Sequence, residues 1–323
     1  MISQGRAPCA GMAGARTIAP PNAGRRAGGG DVFRGSLVAL VTPMTESGDV
    51  DHVAFGRLLD WHAREGSDGV VVAGSTGESA TLKDAEAAEL LQIAVQRLGS
   101  RMPVIAGTGA SSTALAVERT RTACELGADA VLVVTPYYSR PPQEGLYRHF
   151  SAVADASSVP VLLYNVPSRT ACDLLPETVE RLSGHPQVIG IKEATGDVAR
   201  GREILERCGD DFLLLSGDDP TCRELIGAGA QGVITVTGNI APRLMREMVE
   251  AELQGDQDAA RELDERLAGL HTALFVESNP IPSKWALGRL GLIGPGIRLP
   301  LVGLSERHQA TVLAAMRRAG VIE

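Results

Sequence analysis

The sequence predicts an α/β protein: a (β/α)8 TIM barrel followed by a C-terminal helical region. Three observations carry that reading. Eight short, β-branched apolar runs recur 20–34 residues apart, each followed by an amphipathic stretch of helical length. The runs are continuously apolar rather than alternating, as expected of parallel strands buried on both faces. Eight such units match the count at which a parallel sheet closes on itself. A doubly wound open sheet usually has fewer strands. Gly107-Thr108-Gly109 follows the third run, but the third glycine of a dinucleotide fingerprint is not in place.

The predicted strands are 36–41, 69–72, 103–106, 130–135, 160–164, 188–192, 212–216 and 232–236. Between them, the run from Asp84 to Leu91 is rich in Ala, with acids in its first turn, where they suit the positive end of a helix dipole. Gly127 and Gly229 stand where helices should stop before the fourth and eighth strands. After the eighth strand the pattern turns all-helical. We place the barrel at residues 32–254 and the helical region at 255–323.

Residues 1–31 read differently. The first thirty hold no Asp, Glu or Lys but four Arg (Arg6, Arg16, Arg25, Arg26), and Gly, Ala and Pro dominate them. Such a segment buries too little apolar surface to offset its ordering entropy, so it is expected to be a disordered extension or the product of a start codon placed too early. It lacks the apolar stretch of a secretory signal.

The chain has 323 residues, 44% of them hydrophobic but only 3% aromatic, so Ala, Val, Leu and Ile must fill the core. No apolar run reaches the roughly 18 residues of a membrane span. A formal charge of −8 argues against a nucleic-acid binder, which needs a basic surface. The odd count of 5 cysteines, with no C-x-x-C pair, offers neither a disulfide framework nor a zinc site, and suits a reducing cytoplasm. The 6 histidines are scattered, and no H-E-x-x-H supports a metal-dependent reaction.

Chemistry in this fold sits at the C-terminal ends of the strands. Lysine is scarce: Lys83, Lys192 and Lys284 are the only three. Lys192 ends the run Val188-Ile189-Gly190-Ile191 and should enter the barrel mouth. Desolvation favours the neutral, nucleophilic form of an amine, so Lys192 is a candidate Schiff-base lysine; a structural ion pair with Glu193 is the alternative. Lys83, leading to an exposed helix, and Lys284, opening one, read as solvated charges. Three of the four tyrosines (Tyr137, Tyr138, Tyr164) fall at strand ends, where a phenol can relay protons. Residues 74–79, with Ser75 and Thr76, offer backbone donors for an anion. Arg169, after a Pro-fixed turn, could clamp a carboxylate.

Taken together these motifs resemble the dihydrodipicolinate synthases, class I pyruvate-dependent members of the N-acetylneuraminate lyase superfamily. The resemblance runs from Phe33 to the C-terminus. It rests on Gly-Ser-Thr-Gly-Glu-Ser at 74–79, Thr135–Tyr138 with Arg140-Pro141, Tyr-Asn-Val-Pro-Ser-Arg-Thr at 164–170, Lys192 within 190–195, residues 215–219 and Asn279-Pro280-Ile281-Pro282. The run after Tyr164 is the most specific, because relatives that take sugar acids differ there.

The resemblance implies a lyase that condenses pyruvate with L-aspartate 4-semialdehyde to 4-hydroxy-tetrahydrodipicolinate. This is the first committed step of diaminopimelate and lysine biosynthesis. By resemblance Lys192 forms the imine, and Tyr164, Ser75 and Tyr138 form a proton relay, Tyr138 being supplied to the neighbouring subunit. Thr76 holds the pyruvate carboxylate, Arg169 the carboxylate of the second substrate, and Gly217 and Ile234 line the pyruvate site. No metal or organic cofactor is implied, and family members commonly form homotetramers from two tight dimers. Another aldolase of the superfamily, acting on a sugar acid, would gain less from Arg169; a barrel kept only for binding would not need Lys192.

Two departures stand out. Ser75 replaces a frequent Thr, which keeps the hydroxyl but frees χ1. Lysine-inhibited members place His and Glu at the interfacial effector site, whereas Asp84 and Leu115 stand here, with Ala87 and Ser111 also altered and Tyr137 and Ser79 retained. Weak or absent lysine feedback is expected.

Overall fold

The computed structural model describes residues 31–99 and 101–323. The disorder expected of the first thirty residues lies outside the described residues. Eight parallel strands close into a barrel in chain order. They are β1 (Gly35–Ala39), β2 (Gly69–Val72), β3 (Val104–Gly107), β4 (Ala130–Val134), β5 (Val161–Asn165), β6 (Val188–Glu193), β7 (Leu213–Ser216) and β8 (Gly232–Thr235). Each matches its predicted run to within one or two residues at either end, the scatter intrinsic to element boundaries.

Helices cover the outside: α1 (His52–Glu65), α2 (Asp84–Leu98), α3 (Thr113–Glu125), α4 (Gln143–Ala156), the short α5 (Pro167–Thr170), α6 (Pro176–Ser183), α7 (Val198–Cys208), α8 (Cys222–Gly227) and α9 (Pro242–Leu253). Asp51 and Asp197 cap α1 and α7 by accepting from Ala54 N and Ala199 N. Gly127 follows α3 at φ +87°, as the stop signal predicts.

Strand residues alternate between two apolar clusters. Leu37, Val71, Ile105, Leu132, Leu162, Tyr164, Leu215 and Ile234 pack together inside the barrel. Val38, Val70, Val104, Val131, Val161, Leu163 and Leu214 pack outward against the helices. Burial on both faces therefore explains why the runs show no polar alternation.

The barrel is followed by α10 (Gln257–Ala273), α11 (Ile281–Arg289) and α12 (Glu306–Ala319). Arg298, between α11 and α12, ties this region to the barrel: its guanidinium donates to Glu86 Oε1 and Oε2 at 2.7 Å each and to the Thr81 carbonyl at 3.0 Å. Lys284 on α11 corrects the sequence expectation of a solvated charge. It is 4% exposed and forms a buried ion pair with Glu78, 2.5 Å apart. Among the described residues no helix is long and apolar enough to cross a membrane.

Candidate active site

Lys192 reaches the barrel interior because of an irregularity in β6. Val161 pairs with Val188, but the next β5 residue, Leu162, pairs with Gly190, so β6 carries one extra residue, Ile189. Val188 belongs to the outer cluster. By strict alternation Lys192, four residues on, would point outward too. The bulge reverses that parity, and Lys192 becomes the register partner of Tyr164. The lysine Nζ lies 4.5 Å from the centroid of the Tyr164 ring, and both residues are buried.

Room for the lysine stem comes from Gly217, just past β7. A Cβ there would lie 2.8 Å from Lys192 Cε and 2.6 Å from Ala194 Cβ, so any side chain would displace the amine. Ile234, 1% exposed on β8, contributes to the interior apolar wall.

Glu193, the neighbour offered as an ion-pair partner for Lys192, points the other way. It accepts from Asn165 Nδ2 at 3.1 Å and from Thr195 N at 2.8 Å, and Arg200 Nε lies 3.5 Å away. Burial raises its carboxyl above the usual range. Asn165 also donates to Asp173, which takes a two-pronged bond from Arg200 at 3.1 and 2.9 Å. The ends of β5 and β6 are thus pinned from outside by Glu193 and Asn165, while Lys192 and Tyr164 face inward.

Across the mouth, residues 74–79 form a tight loop after β2. Ala73 and Glu78 take positive φ values of 53° and 59°, strained positions for residues with a side chain. Gly107 backs this loop closely: a Cβ there would meet the Ala73 carbonyl oxygen at 2.3 Å. The loop holds Ser75 half-buried and Thr76 3% exposed. Thr76 Oγ1 accepts from Asn279 Nδ2 at 2.9 Å.

Arg169 sits on α5, exposed, and its Nη2 donates to the Asn279 carbonyl at 3.4 Å. Pro167 at the helix start and Ala171 in the left-handed conformation limit α5 to one turn. Tyr138 is not brought to the lysine within this chain. It is 93% exposed, at φ +74°, and Tyr137 beside it is 36% exposed.

The structure thus gathers Lys192, Tyr164, Gly217 and Ile234 on one side, and Thr76 and Arg169 around Asn279 on the other. Asn279, Glu78 and Lys284 were not singled out from sequence as site residues. In the sequence Asn279 stands out only as part of the Asn-Pro-Ile-Pro run, and nothing local ties it to Thr76, 203 residues away.

Known proteins share the sequence and the fold. The model of the Dihydrodipicolinate synthetase family matches residues 32–319. A 4-hydroxy-tetrahydrodipicolinate synthase of Stutzerimonas stutzeri is 56% identical over 291 residues, covering 90% of this chain and 100% of the relative. One from Alcanivorax borkumensis is 55% identical over 292 residues, covering 90% and 99%. Among solved structures, the chloride-inhibited dihydrodipicolinate synthase of Acinetobacter baumannii, complexed with pyruvate, superposes with a TM-score of 0.88 at 46% identity, covering 90% of this chain and 99% of that one.

Proposed function

The chain belongs to the dihydrodipicolinate synthetase family, and on that premise we propose that Lys192 is the amine on which its reaction runs. The chain is a lyase of lysine and diaminopimelate biosynthesis that takes pyruvate as substrate. The observation carrying the proposal is the buried Nζ of Lys192, turned inward by the β6 bulge and placed over the Tyr164 ring.

The neutral amine adds to the keto carbon of pyruvate, and the resulting hydroxyl leaves as water, giving an imine. Tyr164 donates and retrieves the protons, with Ser75 and Tyr138 completing the relay; Tyr138, exposed here, serves the site of a neighbouring subunit in a homotetramer. Thr76 receives the pyruvate carboxylate. Gly217 and Ile234 bound the space beside the imine. Loss of a methyl proton yields the enamine, whose carbon attacks the aldehyde carbon of L-aspartate 4-semialdehyde, held by Arg169 through its carboxylate. The amine of the adduct then attacks the imine carbon, closes the ring and releases Lys192. The reaction needs no electron carrier, since no atom undergoes net oxidation outside the two substrates. It takes place in the cytoplasm.

Borohydride reduction in the presence of pyruvate, followed by peptide mass mapping, tests the assignment. The peptide bearing Lys192 should gain the reduced pyruvyl group, and an unmodified Lys192 would overturn it. A coupled assay with the semialdehyde and a dihydrodipicolinate reductase tests the second substrate.

A further inference from the structure

We propose that Asn279 is a positioning residue that aims the Thr76 hydroxyl proton at the pyruvate carboxylate. The inference rests on the reading of Thr76 given above and supplies what a hydroxyl alone lacks, a fixed direction. A threonine hydroxyl has one proton and two acceptor lone pairs. In a buried site it donates to whichever acceptor is best placed, and a good protein acceptor nearby would take the proton away from an anionic substrate.

Here a neighbouring side chain does the opposite. Asn279 Nδ2 donates to Thr76 Oγ1 at 2.9 Å, so it occupies an acceptor lone pair and leaves the proton for another partner. The orientation of the amide is fixed from its other side: Ser283 Oγ donates to Asn279 Oδ1 at 3.4 Å. The chain of donors therefore runs one way, from Ser283 through Asn279 to Thr76 and on to an acceptor in the mouth. Asn279 and Thr76 are 5% and 3% exposed, and Ser283 is fully buried, which keeps water from competing for these bonds.

The geometry is held by a second tie. Glu78, two residues after Thr76, pairs with Lys284, five residues after Asn279, at 2.5 Å. Lys284 N also donates to the Pro280 carbonyl at 2.8 Å, which fixes the turn that presents Asn279. Two contacts between the same two segments, one neutral and one ionic, leave little freedom for Thr76 to move relative to the amide. The Asn279 main-chain carbonyl separately accepts from Arg169. That bond does not involve the side chain, so it furnishes an internal control.

The decisive variant is Asn279→Asp, which replaces the donor with an acceptor of nearly the same shape. The Thr76 hydroxyl would then donate to the new carboxylate, and a like charge would face the substrate anion. We expect the KM for pyruvate to rise at least tenfold. The kcat at saturating pyruvate and the KM for the semialdehyde should stay within about threefold. Neutral pyruvamide, which carries no carboxylate, should be trapped on Lys192 by borohydride as well as in the unsubstituted protein. Asn279→Ala should raise the pyruvate KM in the wild-type background but add less than twofold in a Thr76→Ala background.

A pyruvate KM within twofold of wild type in Asn279→Asp would overturn the inference, as would equal losses with pyruvate and pyruvamide. Additive effects of Asn279→Ala and Thr76→Ala would do the same, and that pair decides alone if the Asp variant melts too low to assay. Failure of the unsubstituted protein to be trapped with pyruvate would instead remove the assignment of Lys192, which separates the two failures.

Discussion

Tyr164 and Lys192 are direct register partners on neighbouring parallel strands, and the amine sits 4.5 Å from the centre of the phenol ring. This closeness depends on Ile189, the unpaired residue of β6. It also depends on Gly217, whose missing side chain leaves space for the lysine stem. Lys192→Arg keeps a long basic side chain but not an amine able to lose its proton and attack carbon, so it should abolish borohydride trapping with pyruvate. Tyr164→Phe keeps the ring under the amine and removes the proton. It should lower kcat by about 10²–10⁴-fold, the range for a lost acid–base group, while trapping at long incubation survives. Gly217→Ala should slow trapping by displacing the lysine stem and also lower the melting temperature, because its Cβ would meet Ala194 Cβ as well.

Arg169 offers a separable prediction. It is exposed, held by one long bond to the Asn279 carbonyl, and retains most of its five donors for a ligand. Arg169→Ala should raise the KM for the semialdehyde by about 10–100-fold, corresponding to the roughly 1.5–3 kcal/mol of a charged hydrogen bond. Imine formation with pyruvate should proceed at the wild-type rate. Steady-state kinetics with each substrate varied in turn checks the split.

The sequence made the barrel legible because strand periodicity and helix punctuation are local properties. Lys192 could be placed at a strand end for the same reason. Which face it occupied was not legible: the bulge at Ile189 is a matter of pairing with β5, and alternation alone leaves Glu193 as plausible an inward residue as Lys192. The burial of Lys284 is hidden from the sequence for a related reason. Its spacing after Pro280 and Pro282 marks a helix start, where lysines are ordinarily solvated, but its partner Glu78 lies 206 residues away. Tyr138 shows a different limit: it is 93% exposed, and the role proposed for it depends on a second chain, which no pattern within one sequence describes.

Lysine feedback should be weak or absent. At the position where inhibited members carry a His, Asp84 is engaged by Arg119, whose Nε donates to Oδ1 at 2.7 Å. Arg119 also reaches the Gly109 carbonyl at 3.4 Å, which keeps it over this surface. Leu115, where those members carry a Glu, offers an effector ammonium no carboxylate. A titration with L-lysine should show no saturable loss of activity through the millimolar range; clear saturable inhibition there would contradict the reading. Leu115→Glu alone should not create sensitivity, because Arg119 would remain a competing partner for the new carboxylate.

The Glu78–Lys284 pair predicts a characteristic pattern of stability changes. Both side chains are almost wholly buried, and burial lowers the Lys284 pKa despite its partner. Removing one member strands the other charge in a low-dielectric site, at a cost of about 3–5 kcal/mol. Lys284→Met should therefore lower the unfolding free energy by about that amount. The double variant Glu78→Gln with Lys284→Met should recover a large part of it, because no uncompensated charge remains. Denaturant unfolding of the four proteins in the cycle gives the coupling directly.

Two buried histidines away from the site should weaken the fold as pH falls from 7 to 5. His62 is fully buried on α1, and burial lowers its pKa to about 3; burial on α4 lowers that of His149 to about 4. Each has one ring nitrogen bonded, His62 Nδ1 to Ser67 Oγ at 3.0 Å and His149 Nδ1 to Thr113 Oγ1 at 2.9 Å. The other nitrogen of each is buried without a partner among the described residues. In the unfolded chain a histidine binds its proton near pH 6.5, whereas these two stay neutral in the folded state. Their contribution is therefore fully present above the unfolded pKa and is lost as pH falls below it, toward the lowered folded values. Between pH 7 and pH 5 each should cost about 2 kcal/mol of stability, from the proton taken up on unfolding. His62→Gln should flatten the fall in unfolding free energy over that interval by roughly this amount, even if its stability at pH 7 is lower. An unchanged slope would show that His62 does not stay neutral in the folded protein.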